Sequence, residues 1–384
     1  MSLAEQHHIT LPDTELLSLA QALDDLVRFE VFGGALAECY GDVTGSLTWG
    51  RFARISDPKI QYTFQSEVNN INDNGASIAQ IITDNLDISN LIVIDKGKGS
   101  REAANAKSFK LMGFLQDLGA CFALYSDWDI SKQYREEGIP HLKEVFPNTE
   151  ANPQDVNFNR DDPDLSTKKN PDVERPRLVM EFGSSRGNIA TVAHDNGKSF
   201  EEQAYEELQA RFANDYINCR EEGILVIGSD ANQKESALNA YVHPAHAKFA
   251  ENIVHRGKSE GALSDEFNPQ LLYYDPQLDT SHSINGKAFS VVKHDLVASN
   301  DQTFGVLQAS GDFKKATLKE GDRLTLSHSI KWSPEVMIAA AESQGFKCLS
   351  VTWDKDNRFP IYVFKAMPKA PRLAASEGQK LKVA

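Results

Sequence analysis

The chain has 384 residues, 41% of them apolar, and carries a formal charge of −15. That length suits one large core with an insertion, or two domains sharing a cleft. The negative balance argues against non-specific nucleic-acid or anionic-membrane binding, which need a positive face, and no apolar run approaches the roughly 20 residues of a membrane span. The first residues, MSLAEQHHITLPDTE, lack a basic segment followed by an apolar one, so no secretory signal is expected. Cys39, Cys121, Cys219 and Cys348 are scattered without CxxC spacing, which suggests free buried thiols and a cytoplasmic location.

Residues 12–32 repeat Leu16, Leu19, Leu23, Leu26 and Val27 at helical spacing, with Asp13 as N-cap and Gly33–Gly34 as the stop. Residues 45–70 read as irregular, and a helix is expected over 75–86. From Leu91 strands and helices alternate: strand 91–95, helix 101–118, strand 120–129 and a helix through Lys143. Charged, Pro-rich residues 148–177 read as a long surface loop, holding a short strand, VNF, at 156–158. Strand 177–182, helix 199–219 and strand 223–230 follow. Such alternation implies a parallel sheet with right-handed crossovers. After Arg256 the period shortens, and strands over 269–275, 287–295, 303–309 and 322–329 suggest an antiparallel insertion. A helix over 333–345, capped by Ser333 and closed by Gly345, precedes a hairpin of 346–354 and 359–366.

Three strand ends carry the chemistry. The run RLVMEFGSSRGN (177–188) stops at small and polar residues, which bring backbone N–H groups, hydroxyls and an amide to one point. In open α/β sheets ligands sit at that end of a strand. LIVIDKGKGS (91–100) ends in Asp95, Gly97 and Gly99, so a ligand can approach the backbone closely. The third glycine of a dinucleotide fingerprint is replaced by Glu102, which disfavours a nicotinamide cofactor. YSDWDIS (125–131) offers Asp129 first, and Asp127 second, for a pair of ribose hydroxyls; Asp129 or Ser131 would serve equally as an N-cap. His243 and His246 in HPAH lack a third ligand at zinc spacing, so no metal site is expected. Tyr273, Tyr274, Phe289 and Phe304 suit either an aromatic pocket or ordinary core.

A parallel sheet finished by an antiparallel C-terminal hairpin resembles the class I S-adenosylmethionine-dependent methyltransferase fold, here an α/β Rossmann-like sheet with a smaller α+β substrate domain. DKGKGS, YSDWDIS, FGSSRGN, GSDANQKESALNAYVHPAHAKF and HSIKWSP occur in one order. That order resembles the histidine-specific Nα-methyltransferases of ergothioneine biosynthesis and their fungal relatives acting on a prenylated tryptophan, roughly from Tyr62 to Ala366. The resemblance implies S-adenosyl-L-methionine as cofactor, held by Asp95, Gly97, Gly99, Ser100 and Asp129. It implies an acceptor bordered by Tyr62, Gly183, Ser185, Ser327 and Ser329. Asn188 and Tyr241 become the candidate catalytic residues, orienting the amino acid. It also divides the chain into residues 1–70 (start of a substrate domain), 71–256 (core), 257–330 (inserted sheet), 331–368 (end of the core) and a tail, 369–384.

Two departures bear on function. The family has a Glu two residues before the Ser of its S-x-K-[FY] segment, and that Glu reads the imidazole. Aligning Lys331 puts Ser327 there, and a hydroxyl cannot supply a charge-assisted bond. The acceptor is therefore expected to be a small-molecule amine other than histidine, an amino acid or a natural product derived from one. Lys96 and Lys98 replace apolar and small residues of the first loop, and Lys96 is expected either to point away from the cofactor or to weaken its binding. A cofactor-binding partner without transferase activity is the alternative. The sequence sets no oligomeric state.

Overall fold

The computed structural model describes residues 14–28, 31–32, 62–129, 131–155, 174–189, 191–192 and 197–368. In chain order the first elements are α1 (Thr14–Val27), β1 (Val31–Phe32), α2 (Tyr62–Asn85), β2 (Leu91–Lys96), α3 (Arg101–Ala106), α4 (Ser108–Asp117) and β3 (Phe122–Asp129). Then come α5 (Lys132–Val145), β4 (Glu150–Asp155), β5 (Arg177–Glu181), β6 (Asn188–Ile189), β7 (Thr191–Val192), α6 (Phe200–Cys219) and β8 (Ile224–Gly228). The last group is α7 (Pro244–Ser259), β9 (Leu272–Ile284), β10 (Lys287–Ala298), β11 (Gln302–Leu307), β12 (Phe313–Leu318), β13 (Arg323–Lys331), α8 (Pro334–Ser343), β14 (Phe346–Trp353) and β15 (Pro360–Ala366).

Strands β2, β5 and β8 are buried along their whole length, as strands covered on both faces must be. Alternate residues serve the two covers. Ile92, Ile94, Val179, Leu225 and Ile227 pack against α6 and α8. Val93, Leu178, Met180, Ile224 and Val226 pack against α2 and α4. The sheet runs β14-β15-β8-β5-β2-β3-β4. Its β2–β3, β2–β5, β3–β4 and β5–β8 pairs are parallel, while β15 is antiparallel to both β8 and β14. This is the class I methyltransferase arrangement, with the expected antiparallel C-terminal hairpin.

A second sheet, β6-β13-β10-β9, is antiparallel throughout. Its first strand begins only seven residues after β5 ends, so one turn joins the two sheets. A third apolar cluster joins Leu19, Leu23 and Leu26 of α1 to Phe249 and Ile253 of α7 and to Phe304 and Leu324 of the strands.

Several expectations need correction. The expected helix 101–118 is two helices, broken at Lys107 (φ −124°, ψ −87°). The stretch read as a loop from 148 contains β4, whose polar residues and Pro153 survive because it is an edge strand; VNF lies outside the described residues. Helix α2 starts at Tyr62 rather than near Gly75. Its asparagines disguise it, but Asn70 Nδ2 donates to the Thr352 and Phe359 carbonyls and ties the helix to β14 and the start of β15. Ser333 flanks α8 without a side-chain cap bond. Helix α7 and strand β12 were not foreseen, and Asp13 and Cys39 fall outside the described residues. Of the other cysteines, all expected to be buried thiols, Cys219 is buried, Cys348 half-buried and Cys121 exposed.

Candidate functional site

The turn Phe182–Asn188 is the junction of the two sheets, and three sets of contacts hold it. From α2, the buried Glu67 carboxylate accepts the Gly183 N–H at 2.9 Å and pairs with Lys107 Nζ at 2.6 Å. From β8, the Asp230 N–H donates to Ser184 Oγ at 2.9 Å. Ser184 sits at φ 60°, a conformation that costs a non-glycine residue energy and that persists where surrounding bonds enforce it. From β13, the Ile330 carbonyl oxygen lies where a side chain at Gly187 would stand, 2.4 Å from an added Cβ, so only glycine fits.

Beneath the turn lies a buried ionic cluster. Arg186 donates to Glu181 and Asp215, each at 2.5 Å, and stacks over the Phe212 ring at 4.8 Å. Lys96 Nζ reaches Asp215 at 2.7 Å and Glu181 at 3.3 Å. Burial pushes the Glu181 carboxyl up, but Arg186 and Lys96 outweigh it and hold it well below the usual carboxylate range. Ser185 Oγ also donates to Glu181 at 2.9 Å, which gives this predicted acceptor-binding residue an internal partner. Lys96 therefore points into the core under the turn.

On the cofactor side, Gly97 and Gly99 adopt φ 69° and 72°, accessible to glycine at little cost. The Gly99 N–H donates to Asp129 Oδ2 at 3.1 Å, and the Ser131 N–H to Asp129 Oδ1 at 2.8 Å. Ser131, not Asp129, caps α5, and Ser100 caps α3 by accepting from Ala103 N at 3.3 Å. Asp95 accepts from Tyr125 OH at 2.5 Å. Burial raises the carboxyls of both Asp95 and Asp129. Lys98 turns inward to Asp127 Oδ2 (3.0 Å) and the Tyr134 carbonyl (2.9 Å). Burial, opposed by Lys98, pushes the Asp127 carboxyl up to about 7. Asp127 Oδ1 is buried and accepts no hydrogen bond from the described residues. A buried acceptor at a β3 end, next to a backbone bared by glycines, fits a ligand that carries ribose hydroxyls.

On the acceptor side, Asn188 and Ser329 face each other across the β6–β13 pair, and Ser329 Oγ donates to Asn188 Oδ1 at 3.0 Å. Lys331 Nζ donates to Tyr241 OH at 2.6 Å and pairs with Asp230 at 2.7 Å. Burial lowers the Lys331 pKa, but Asp230 more than compensates and the ammonium is retained. Tyr241 packs edge-on against His246 and His294, at 5.1 and 4.9 Å between centroids. His246, Tyr274 and His294 stack on one another at 5.3 to 6.0 Å. Burial lowers the His246 pKa to about 3 and that of His294 well below the ordinary imidazole value. Ser327 is buried opposite His294 in the β10–β13 register.

The structure thus joins Gly183, Ser185, Asn188, Ser329 and Tyr241 around one turn, with Ser327 farther along β13. Asp95, Gly97, Gly99, Ser100 and Asp129 gather at the adjacent strand ends. Tyr62 opens α2, but its side chain lies outside the described residues. The aromatic set divides: Phe289 and Phe304 belong to separate cores, Tyr273 is exposed and Tyr274 joins the histidines. His243 is a helix cap, its Nδ1 accepting from Ala245 N at 3.1 Å. Sequence reasoning missed Glu67, Asp230 and His294, and weighed His246 only as a metal ligand. Glu67 is the only acid of QYTFQSE, a signal within reach; the others become visible only when the tertiary contacts are known.

Among curated proteins, the chain is 28% identical over 183 residues to the uncharacterized protein y4iF of Sinorhizobium fredii (strain NBRC 101917 / NGR234), covering 48% of this chain and 54% of that protein. It thus spans about half the length of this relative. Among solved structures, it is similar to an S-adenosylmethionine-dependent methyltransferase from Clostridium acetobutylicum ATCC 824, at 11% identity and TM-score 0.41, over 83% of this chain and 99% of that one. A loganic acid methyltransferase with SAH shows 10% identity and TM-score 0.39, over 82% and 98%. At such low scores these likenesses carry no weight. The decisive match is to the family model described as "Histidine-specific methyltransferase, SAM-dependent", over residues 40–366: the chain belongs to this family of S-adenosylmethionine-dependent methyltransferases.

Proposed function

We propose that the protein methylates the amino group of an amino acid, or of a small molecule derived from one, other than histidine. One observation carries the choice of acceptor. Ser327, standing where the family pattern has its imidazole-reading Glu, is a buried hydroxyl opposite His294. A hydroxyl at that position cannot give a histidine substrate the charge-assisted bond a carboxylate would.

In this reading Asp95, Gly97, Gly99, Ser100 and Asp129 hold the cofactor, with Asp127 beside Asp129. Gly183, Ser185, Ser327, Ser329 and Tyr62 border the acceptor. Helix α1 and the small sheet form the acceptor-side domain against a core of 71–256 and 331–368. When bound, the cofactor supplies an electrophilic methyl group on a sulfonium. Displacement in line needs accurate placement of the nucleophile more than acid–base assistance. Asn188 and Tyr241 provide that placement through uncharged hydrogen bonds. The alternative of a non-catalytic partner rests on the lysines of the first loop and on the lost Glu; Lys96 and Lys98 are engaged by internal carboxylates, which leaves the replacement at Ser327 as its one support.

The test is incubation of the purified protein with isotopically labelled S-adenosylmethionine and a metabolite extract, followed by mass spectrometry of labelled amines. A labelled N-methyl product other than a histidine derivative is expected. Label found only on the histidine α-nitrogen, or donor binding with no labelled product, overturns the proposal.

A further inference from the structure

Ser329 is the middle of a hydrogen-bond chain that reaches the aromatic stack. Its Oγ lies 3.0 Å from Asn188 Oδ1 and 2.8 Å from His294 Nε2, while His294 Nδ1 lies 2.6 Å from Tyr274 OH. A serine hydroxyl has one proton to give. Given to the Asn188 carbonyl oxygen, it leaves Ser329 able only to accept from His294, which must then carry its proton on Nε2. The unprotonated Nδ1 accepts from Tyr274 OH. The chain has a single direction: Tyr274 to His294 to Ser329 to Asn188.

We propose that His294 is a positioning residue, which acts through Ser329 to fix the Asn188 side-chain amide with its nitrogen edge toward the acceptor. Turning that amide over would put Nδ2 against Ser329, free the serine proton for His294 Nε2, and so allow the His294 proton to move to Nδ1. The tautomer of a buried histidine and the orientation of a half-buried amide are thus coupled. An amide held this way offers two N–H donors, the chemistry that receives a carboxylate rather than an ammonium. The inference deepens the function proposed above and rests on Asn188 touching the acceptor.

The groups facing His294 support a fixed neutral state. They are His246 from α7, Tyr274 from β9, Lys331 and His328 from β13, and the edge-on Tyr241 ring. His246 and Lys331 are buried, and none of these neighbours is a carboxylate that would stabilise an imidazolium.

The experiment is nitrogen-detected NMR of the full chain with 15N-labelled histidine, between pH 5 and 8, the His294 signal being assigned by its loss in His294→Gln. If that variant does not fold, Tyr274→Phe identifies the signal by its shift at Nδ1. A neutral Nε2–H imidazole throughout is expected. An Nδ1–H tautomer, a cation or an even mixture overturns the proposal. Asn188→Ala should relax His294 towards a mixture, whereas Asn188→Asp, which still accepts from Ser329, should keep Nε2–H. A tautomer indifferent to Asn188→Ala overturns the coupling. The protein alone is measured, so this result stands apart from the search for a methylated product.

Discussion

The two sides of the Phe182–Asn188 turn are built from opposite kinds of interaction. Below it, Lys96, Arg186, Glu181 and Asp215 form a buried cluster of full charges. Beyond it, His246, His294, Tyr274, Ser329 and Asn188 are neutral groups joined by stacking and hydrogen bonds. A buried charge left without its complement is costly, so removing one member of an ionic cluster destabilises those that remain. A neutral hydroxyl or amide can exchange donor for acceptor without a change of charge. Ions therefore suit the fixed support of a site, and neutral groups suit its reading face.

The largest effect is expected from breaking the support. Asp215→Ala leaves Lys96 and Arg186 short of a partner and should cost about 3–5 kcal/mol of stability, measurable by urea denaturation; a loss under about 1 kcal/mol would mean that the cluster is not holding the turn. Next, Asp129→Ala removes the anchor of the Gly99 amide and the proposed ribose acceptor. Calorimetry should record S-adenosylmethionine binding weakened by about 1.5–3 kcal/mol, roughly ten- to hundredfold, and unchanged affinity would remove Asp129 from the cofactor site. On the neutral side, Asn188→Ala should lower kcat/KM for the acceptor by roughly tenfold while sparing cofactor affinity. Equal activity, or a matching loss of cofactor binding, would count against its assignment. The smallest effect is a pH dependence. The Asp127 carboxyl is protonated below about 7 and ionised above it. Cofactor affinity should therefore climb as pH rises through that value and then level off, by at most about tenfold per pH unit. Asp127→Asn should flatten the profile, and a wild-type profile already flat between pH 6 and 8 would remove Asp127 from the binding surface.

Legibility in the sequence followed the same divide. The strand ends were plain because apolar runs that stop at glycine and acid are local patterns, and LIVIDKGKGS and RLVMEFGSSRGN stand where they were expected. The ionic cluster was half visible: Lys96 stood out as a departure, but its partner Asp215 lies 119 positions away in α6. The neutral wall was hidden. His294 and Ser327 meet only through antiparallel register, and β10 carries an irregularity directly after His294 that no periodicity reveals. The polar helix α2 was cut short for a related reason, since tertiary bonds from Asn70 outweigh weak intrinsic propensity.

The brief covalent link between β5 and β6 has a mechanical consequence. Six residues separate the last paired residue of the large sheet from the first strand of the small one, and Glu67, Asp230 and Ile330 each grip them from a different side. A segment so short and so firmly pinned has no slack to absorb displacement. A tilt of the smaller sheet would therefore be passed to the carboxyl edge of the larger one, and under the proposed assignment of the two sites the filling of one half would be felt by the other.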